Sequence, residues 1–222
     1  SPLRFDGGDF LATRRFVLVH PLVRERNLMR ADAPFANAAD LETHLVEPLG
    51  LPIVWLADRA DQLPDHHVGM FVAVIGDRAA VGDPRLVDAN DERVKAAADA
   101  GGGLLDAPAR ERLADQLDGV AKRLAGLGFE VFRVPLIPAS NYRAWMSYNN
   151  GIVDVRGERT IYYMPTFGVA DVDERAAAIF RANGCSVTTI DCSQIWPAGG
   201  SLHCLVNVVE REANPARSRE RK

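Results

Sequence analysis

One order of patterns recurs along this chain and constrains its fold more than any other feature: a β-hairpin with a glycine in its turn, a helix, then a lone strand. In residues 67–134, the apolar run 68–75 turns at Gly76-Asp77-Arg78 and returns to Asp83-Pro84. A helical stretch over 88–100 is broken by Gly101-Gly102-Gly103. A second helix covers 108–124, with Leu113, Leu117, Val120 and Leu124 on one stripe, and strand 129–135 follows. That stripe reads as core. Residues 148–190 repeat the order: strands 148–155 and 160–165 flank Arg156-Gly157-Glu158-Arg159. Asp171 or Asp173 starts a helix through Ala182, Asn183-Gly184 closes it, and strand 186–191 ends the unit. The N-terminal segment finishes alike. After strand 16–19, a helix over 38–49, capped by Asn37 or Asp40, leads to strand 52–56. Such ββαβ units predict an α/β fold of pseudo-symmetric modules around a shared centre, with chemistry assembled at strand mouths.

Composition narrows the partners. A net charge of −4 and a pI near 5.7 offer no general attraction for nucleic acid or an anionic membrane. Cys185, Cys192 and Cys204 cannot all pair with one another and lack metal-ligand spacing, which favours free thiols in a reducing, cytoplasmic setting. Apolar runs stay far short of a membrane span, and no signal-peptide pattern opens the chain. The triple glycine lacks the lysine and the strand-loop-helix context of a phosphate loop. Residues 211–222 read as a polar tail.

Three short motifs carry chemistry. Gly199-Gly200-Ser201-Leu202-His203-Cys204 delivers a cysteine to the head of the apolar, β-prone run 205–209. Its bland reading is a small buried hydrophobe. Asp6-Gly7-Gly8-Asp9 is a turn between carboxylates, blandly a capped loop. His66 and His67 stand at the mouth of the first hairpin, on opposite sides if extended, so that one faces a cleft and the other solvent.

Taken in order, Asp6-Gly7-Gly8-Asp9, His67-Val68-Gly69-Met70-Phe71 and Gly199 to Cys204 resemble the guanidino-group modifying enzymes: arginine, agmatine and peptidylarginine deiminases, dimethylarginine dimethylaminohydrolases and amidinotransferases. The resemblance extends to Asn149-Asn150-Gly151 and Tyr163-Met164-Pro165. It implies a pentein-type α/β-propeller of ββαβ modules with pseudo-five-fold symmetry. By the same resemblance Cys204 is the nucleophile, His67 the proton carrier and Asp6 the acid that orients it. Asp9, Gly69 and Asn149 are substrate-binding positions, and His203 is structural. The implied reaction is hydrolysis of a guanidino compound through a thiouronium intermediate, with no metal or organic cofactor. An amidinotransferase, or a non-catalytic binding or assembly member, are the alternatives. Arg133, Arg143 or Arg156 is a candidate for a substrate carboxylate.

Two departures qualify the resemblance. Gly69 stands where most relatives carry a guanidinium-gripping aspartate, which removes a charge-assisted bond. The chain begins at Ser1 without an initiator methionine, and no segment bearing a further guanidinium-binding aspartate precedes Asp6. Three modules and a final strand are too few for five. The expectation is therefore a single incomplete propeller domain over residues 1–210. A separate N-terminal segment or chain would complete it, and a homodimer is left open.

Overall fold

The computed structural model describes residues 3–29, 33–141 and 145–206. It divides into two compact units, Ser1–Asp83 with Asp106–Arg133, and Pro84–Leu105 with Val134–Lys222.

In the first unit, β1 (Phe10–Ala12) pairs antiparallel with β2 (Val17–Val19), Phe10 opposite Val19. Two helices follow, α1 (Leu22–Leu28) and α2 (Ala38–Leu49), and the chain returns as β3 (Ile53–Trp55), parallel to β2 with Val17 opposite Ile53. The predicted helix 38–49 is found to the residue, and Asn37, not Asp40, caps it by accepting the Asp40 N–H at 3.1 Å. Val17, Val19, Val23, Leu41 and Leu45 form the core of this ββαβ unit.

The next hairpin, β4 (Val72–Ile75) and β5 (Arg78–Asp83), sets Val72 opposite Val81. It does not start at the histidines as expected. A 3-10 turn, Val68–Met70, stands between His67 and the strand. In the second unit α3 (Glu92–Ala98) starts at the cap Asp91, later than predicted, because the Asp91 carboxylate accepts the Arg93 N–H. Back in the first unit, α4 (Ala107–Gly126) is capped by Asp106 and buries Leu113, Leu117, Val120 and Leu124. Each buried leucine contributes roughly 1.5–3 kcal/mol.

Strand β6 (Glu130–Pro138) begins in the first unit and ends in the second, where it pairs antiparallel with β7 (Trp145–Ser147), Leu136 opposite Ser147. The last module holds β8 (Ile152–Arg156), β9 (Arg159–Thr166), α5 (Ala170–Ala182) and β10 (Cys185–Asp191). Here β8 is antiparallel and β10 parallel to β9, and Tyr162 stacks on Phe180 at 4.1 Å. Three expectations change. Residues 148–151 form a turn between β7 and β8, not the start of a strand. Helix α5 starts at Ala170 with Val169, not Asp171 or Asp173, in the N-cap position, and Asp173 in its first turn accepts the N–H groups of Phe167 and Gly168 just before the helix. The third concerns Cys204, which heads no strand: it lies on the single-turn helix α6 (Leu202–Leu205), after a 3-10 turn at Trp196–Ala198. Val206 is extended, while the rest of the predicted strand and the polar tail lie outside the described residues. Among those residues, no helix is long and apolar enough to cross a membrane.

Candidate functional site

The Asp-Gly-Gly-Asp motif folds as a 3-10 turn over Gly7–Asp9. The Asp9 N–H donates to the Asp6 carbonyl at 3.0 Å, and the Asp6 N–H donates back to Asp9 Oδ2 at 2.9 Å. This reciprocal pair fixes the Asp9 carboxylate relative to one turn of backbone. Arg26, on α1, then donates from Nη1 to Oδ2 of both, at 3.0 Å to Asp6 and 2.9 Å to Asp9. His67 joins them: one ligand atom from each of Asp6, Asp9 and His67 lies within 4.8 Å of the other two. That spacing suits a metal ion, yet Arg26 already occupies an oxygen of each carboxylate. Gly8 makes the approach of His67 feasible. A Cβ there would lie 2.7 Å from His67 Cβ and closer still to its ring.

The two adjacent histidines are distinct, though neither is turned wholly to solvent as expected: both are half-buried. His66 Nδ1 accepts the His67 N–H at 2.9 Å, which requires that nitrogen to be unprotonated. Burial first, then the neighbouring His67, pushes His66 from its ordinary value down to about 4. His20 is a further buried histidine, overlooked in the sequence. Its Nδ1 accepts the Leu22 N–H, its Nε2–H donates to the Pro64 carbonyl, and its own N–H donates to the Asp9 carbonyl. It ties the acidic turn to the segment that leads into His66 and His67, and burial lowers its pKa.

In the second unit the centre of the arrangement is Asn150, which sequence reasoning passed over in favour of Asn149. Its Oδ1 accepts the Ser201 N–H and Oγ–H, each at 3.0 Å, and lies 3.4 Å from the Cys204 N. A backbone N–H can only donate, so Oδ1 must face Ser201, and Nδ2 then points at Cys204 Sγ, 3.2 Å away. The Asn150 carbonyl accepts the His203 N–H at 3.0 Å. One buried amide thus organises the whole turn 201–204, and its N–H is aimed at the sulfur. Cys204 itself is exposed, whereas Cys185 and Cys192 are buried, and burial raises the Cys192 thiol. Gly200 is required here, because its Cβ would stand 2.7 Å from Cys204 Cβ and 2.8 Å from Sγ.

The residues on either side of Asn149 and Asn150 are held by tyrosine hydroxyls. The Tyr162 hydroxyl donates to the Tyr148 carbonyl at 2.7 Å and accepts the Gly151 N–H at 3.2 Å, and the Tyr148 hydroxyl donates to Asp173 at 2.7 Å. Burial pushes both phenols well above their ordinary value. Asn149 lies buried in the same turn, its N–H donating to Ser147 Oγ. Gly69 is buried inside the 3-10 turn after His67. Of the arginines considered for a carboxylate, Arg133 pairs with Asp83 and Asp118, and Arg156 pairs with Asp154. Arg143 lies outside the described residues.

The structure therefore brings Asp6, Asp9 and His67 together in one unit, and sets Cys204 against Asn150 in the other. A family model for Porphyromonas-type peptidyl-arginine deiminase matches residues 3–208. The chain belongs to that family. Among solved structures, an agmatine deiminase of C. jejuni aligns with 90% of this chain at 18% identity and a TM-score of 0.54. An agmatine deiminase of Enterococcus faecalis covers 91% at 15% identity, with a TM-score of 0.56. A substrate-bound, cysteine-to-serine form of the C. jejuni protein covers 89% at 17% identity, with a TM-score of 0.53. At these identities the likeness establishes the fold, the α/β pentein fold of the guanidino-group modifying enzymes, as the motif order implied. This chain spans 54% to 56% of the length of those proteins. Among curated proteins none matches it.

Proposed function

We propose that this chain carries the nucleophile and the acid-base group of a deiminase that hydrolyses a guanidino compound. The observation that carries the reading is the exposed Cys204 with the Asn150 amide N–H directed at its sulfur. A donor so placed is what a thiolate, or the sulfur of a covalent adduct, accepts. The family to which the chain belongs supports the same chemistry, as does the substitution of a cysteine in the substrate-bound relative.

The roles follow from what each group can do. Cys204 sulfur attacks the central guanidinium carbon and forms the C–S bond. His67 gives a proton to the departing nitrogen, ammonia is released, and a thiouronium remains. His67 then takes a proton from water, whose oxygen bonds to the same carbon. The C–S bond breaks, its electron pair returning to sulfur as the thiolate that attacked, and the hydroxyl proton of the product passes to solvent, leaving a ureido product. Asp6, with a carboxylate oxygen within 4.8 Å of a His67 ring nitrogen, orients the ring. Asn149 and Asp9 are read as lining positions for substrate, although Asp9 is already committed to Arg26 and the Asp6 N–H.

Gly69 sharpens the substrate class. Without an acid two residues after His67, the chain lacks one charge-assisted contact for an unsubstituted guanidinium. A substituted guanidine is the expected better ligand, and Gly69→Asp is expected to shift preference toward unsubstituted ones. Equal affinities across a guanidine panel for both forms would remove this argument. The catalytic reading is tested by trapping with 2-chloroacetamidine and mapping the adduct by mass spectrometry. Labelling confined to Cys204 and suppressed by one guanidine supports it. Uniform slow labelling of all three thiols would mean that this chain alone holds no working nucleophile. Release of ammonia separates hydrolysis from transfer of the amidino group to an amine.

A further inference from the structure

Arg26 is a guanidinium that the chain itself seats on the two carboxylates beside His67. Its Nη1 bonds Oδ2 of both Asp6 and Asp9. The group that the site is read as recognising is therefore already present, supplied from α1. The two contacts are unequal. The Asp9 side chain is 2% exposed and also takes the Asp6 N–H, so it is a buried carboxylate that depends on Arg26 for its counter-charge. The Asp6 side chain is 58% exposed and Arg26 38%, so their bond is made in water and is easily exchanged.

We infer that Arg26 is an internal competitor for the guanidinium: it stays on Asp9, and an incoming guanidinium displaces it from Asp6 alone. The inference rests on the proposed function, in which His67 and the carboxylates beside it belong to the site that receives a guanidinium. Two consequences follow. A simple monovalent cation supplies charge without the directed N–H donors that Arg26 Nη1 gives to both carboxylates, so it competes poorly. A guanidinium offers the same donors as the group it replaces, and its affinity is set by what it gains over Arg26. The internal competitor thus lowers affinity for every guanidine by a similar factor, and further contacts must compensate.

Lysine at position 26 is the informative substitution. Arg26 bridges both acids through Nη1 alone, and the shorter lysine side chain is expected to keep its ammonium on the buried Asp9 and fall short of the exposed Asp6. Arg26→Gln would strand Asp9 and is used only if its melting curve matches the parent. The experiment titrates the full chain with methylguanidinium chloride, at constant ionic strength set with sodium chloride, and follows the Gly7 and Gly8 amides by NMR. Arg26→Lys is expected to bind more tightly than the parent by up to about fivefold, the upper end of a solvent-exposed ion pair. Asp6→Asn is expected to abolish the response. In the parent, the Arg26 side-chain Nε–H resonance should move on saturation. Equal or weaker binding by Arg26→Lys, or a stationary Arg26 resonance at saturation, overturns the inference and leaves Arg26 a structural clamp. Methylguanidinium failing to bind either form does the same. Trapping at Cys204 separates the two readings. A chain labelled at Cys204 whose Arg26→Lys form gains no affinity sinks this inference alone. One that gains affinity but is never labelled sinks the catalytic reading alone.

Discussion

The acid–histidine group of the first unit and the cysteine turn of the second hold their side chains by different physics. Asp6, Asp9 and His67 are arranged by charge: two carboxylates, one shared arginine and a ring laid against Gly8. Cys204 is arranged by neutral hydrogen bonds radiating from one buried amide, with tyrosines behind it. Charged partners in water exchange at little cost and respond to salt. A buried neutral network is costly to open, because each unmet donor or acceptor carries its full desolvation penalty. The first half is therefore expected to adapt to what binds it. The second is expected to present its thiol in a single geometry.

The comparison can be broken most forcefully at Asn150. Asn150→Ala removes the acceptor for Ser201 and the donor to Cys204, leaving buried groups unmet at a cost of about 1–3 kcal/mol each. Labelling of Cys204 by chloroacetamidine should slow by about tenfold or more, the factor that each 1.4 kcal/mol supplies. Unchanged labelling would show that the amide does not organise the thiol. Gly8→Ala and Gly200→Ala come next, each introducing a Cβ into the space of a site side chain. Overpacking of this kind costs about 1–3 kcal/mol. Gly200→Ala should reduce Cys204 labelling, whereas Gly8→Ala should leave labelling intact and perturb the His67 ring resonances. A swap of those two readouts would refute the division into two separately built halves.

The third prediction concerns acid. His66 is held neutral by burial, with a folded value near 4 against an ordinary 6.5, and burial shifts His20 the same way. Below about 6.5 the unfolded chain binds the extra proton and the folded chain does not, so stability is full above that value and falls as pH drops toward 4. Urea denaturation at pH 7 and pH 4.5 should show this loss, and His66→Gln should recover up to about 3 kcal/mol of it. An identical loss in both forms would assign the acid lability elsewhere. The smallest effect is that of salt. Raising ionic strength to about 1 M should weaken the exposed Arg26–Asp6 contact by well under 1 kcal/mol and leave the Asn150 network untouched.

Much of the fold was legible because it is written in local periodicity. The stripe of α4, the helix 38–49 and the strands of the last module follow from apolar spacing and turn residues that any short window contains. The motif order, too, pointed to Asp6, His67 and Cys204 without coordinates. Local pattern failed where the backbone serves a distant partner. Tyr148 and the asparagines read as strand because they continue an apolar run, yet they turn so that Asn150 can meet Ser201 and Cys204, more than fifty residues on. Cys204 read as the head of a strand because the run 205–209 is β-prone, yet the bonds to Asn150 wind residues 202–205 into a helical turn. Asn149 and Asn150 are identical side by side, and only tertiary contact distinguishes them.

The sequence by itself determined the ββαβ order, the family and the three chemistry-bearing motifs, since each rests on residue type and spacing along the chain. Only the tertiary structure decided which asparagine grips the cysteine, that His20 and His66 are neutral, and that Arg26 sits on Asp6 and Asp9. Those are matters of hydrogen bonds and charge pairs between residues far apart in sequence. Their strength depends on burial, and burial exists only once the chain has folded.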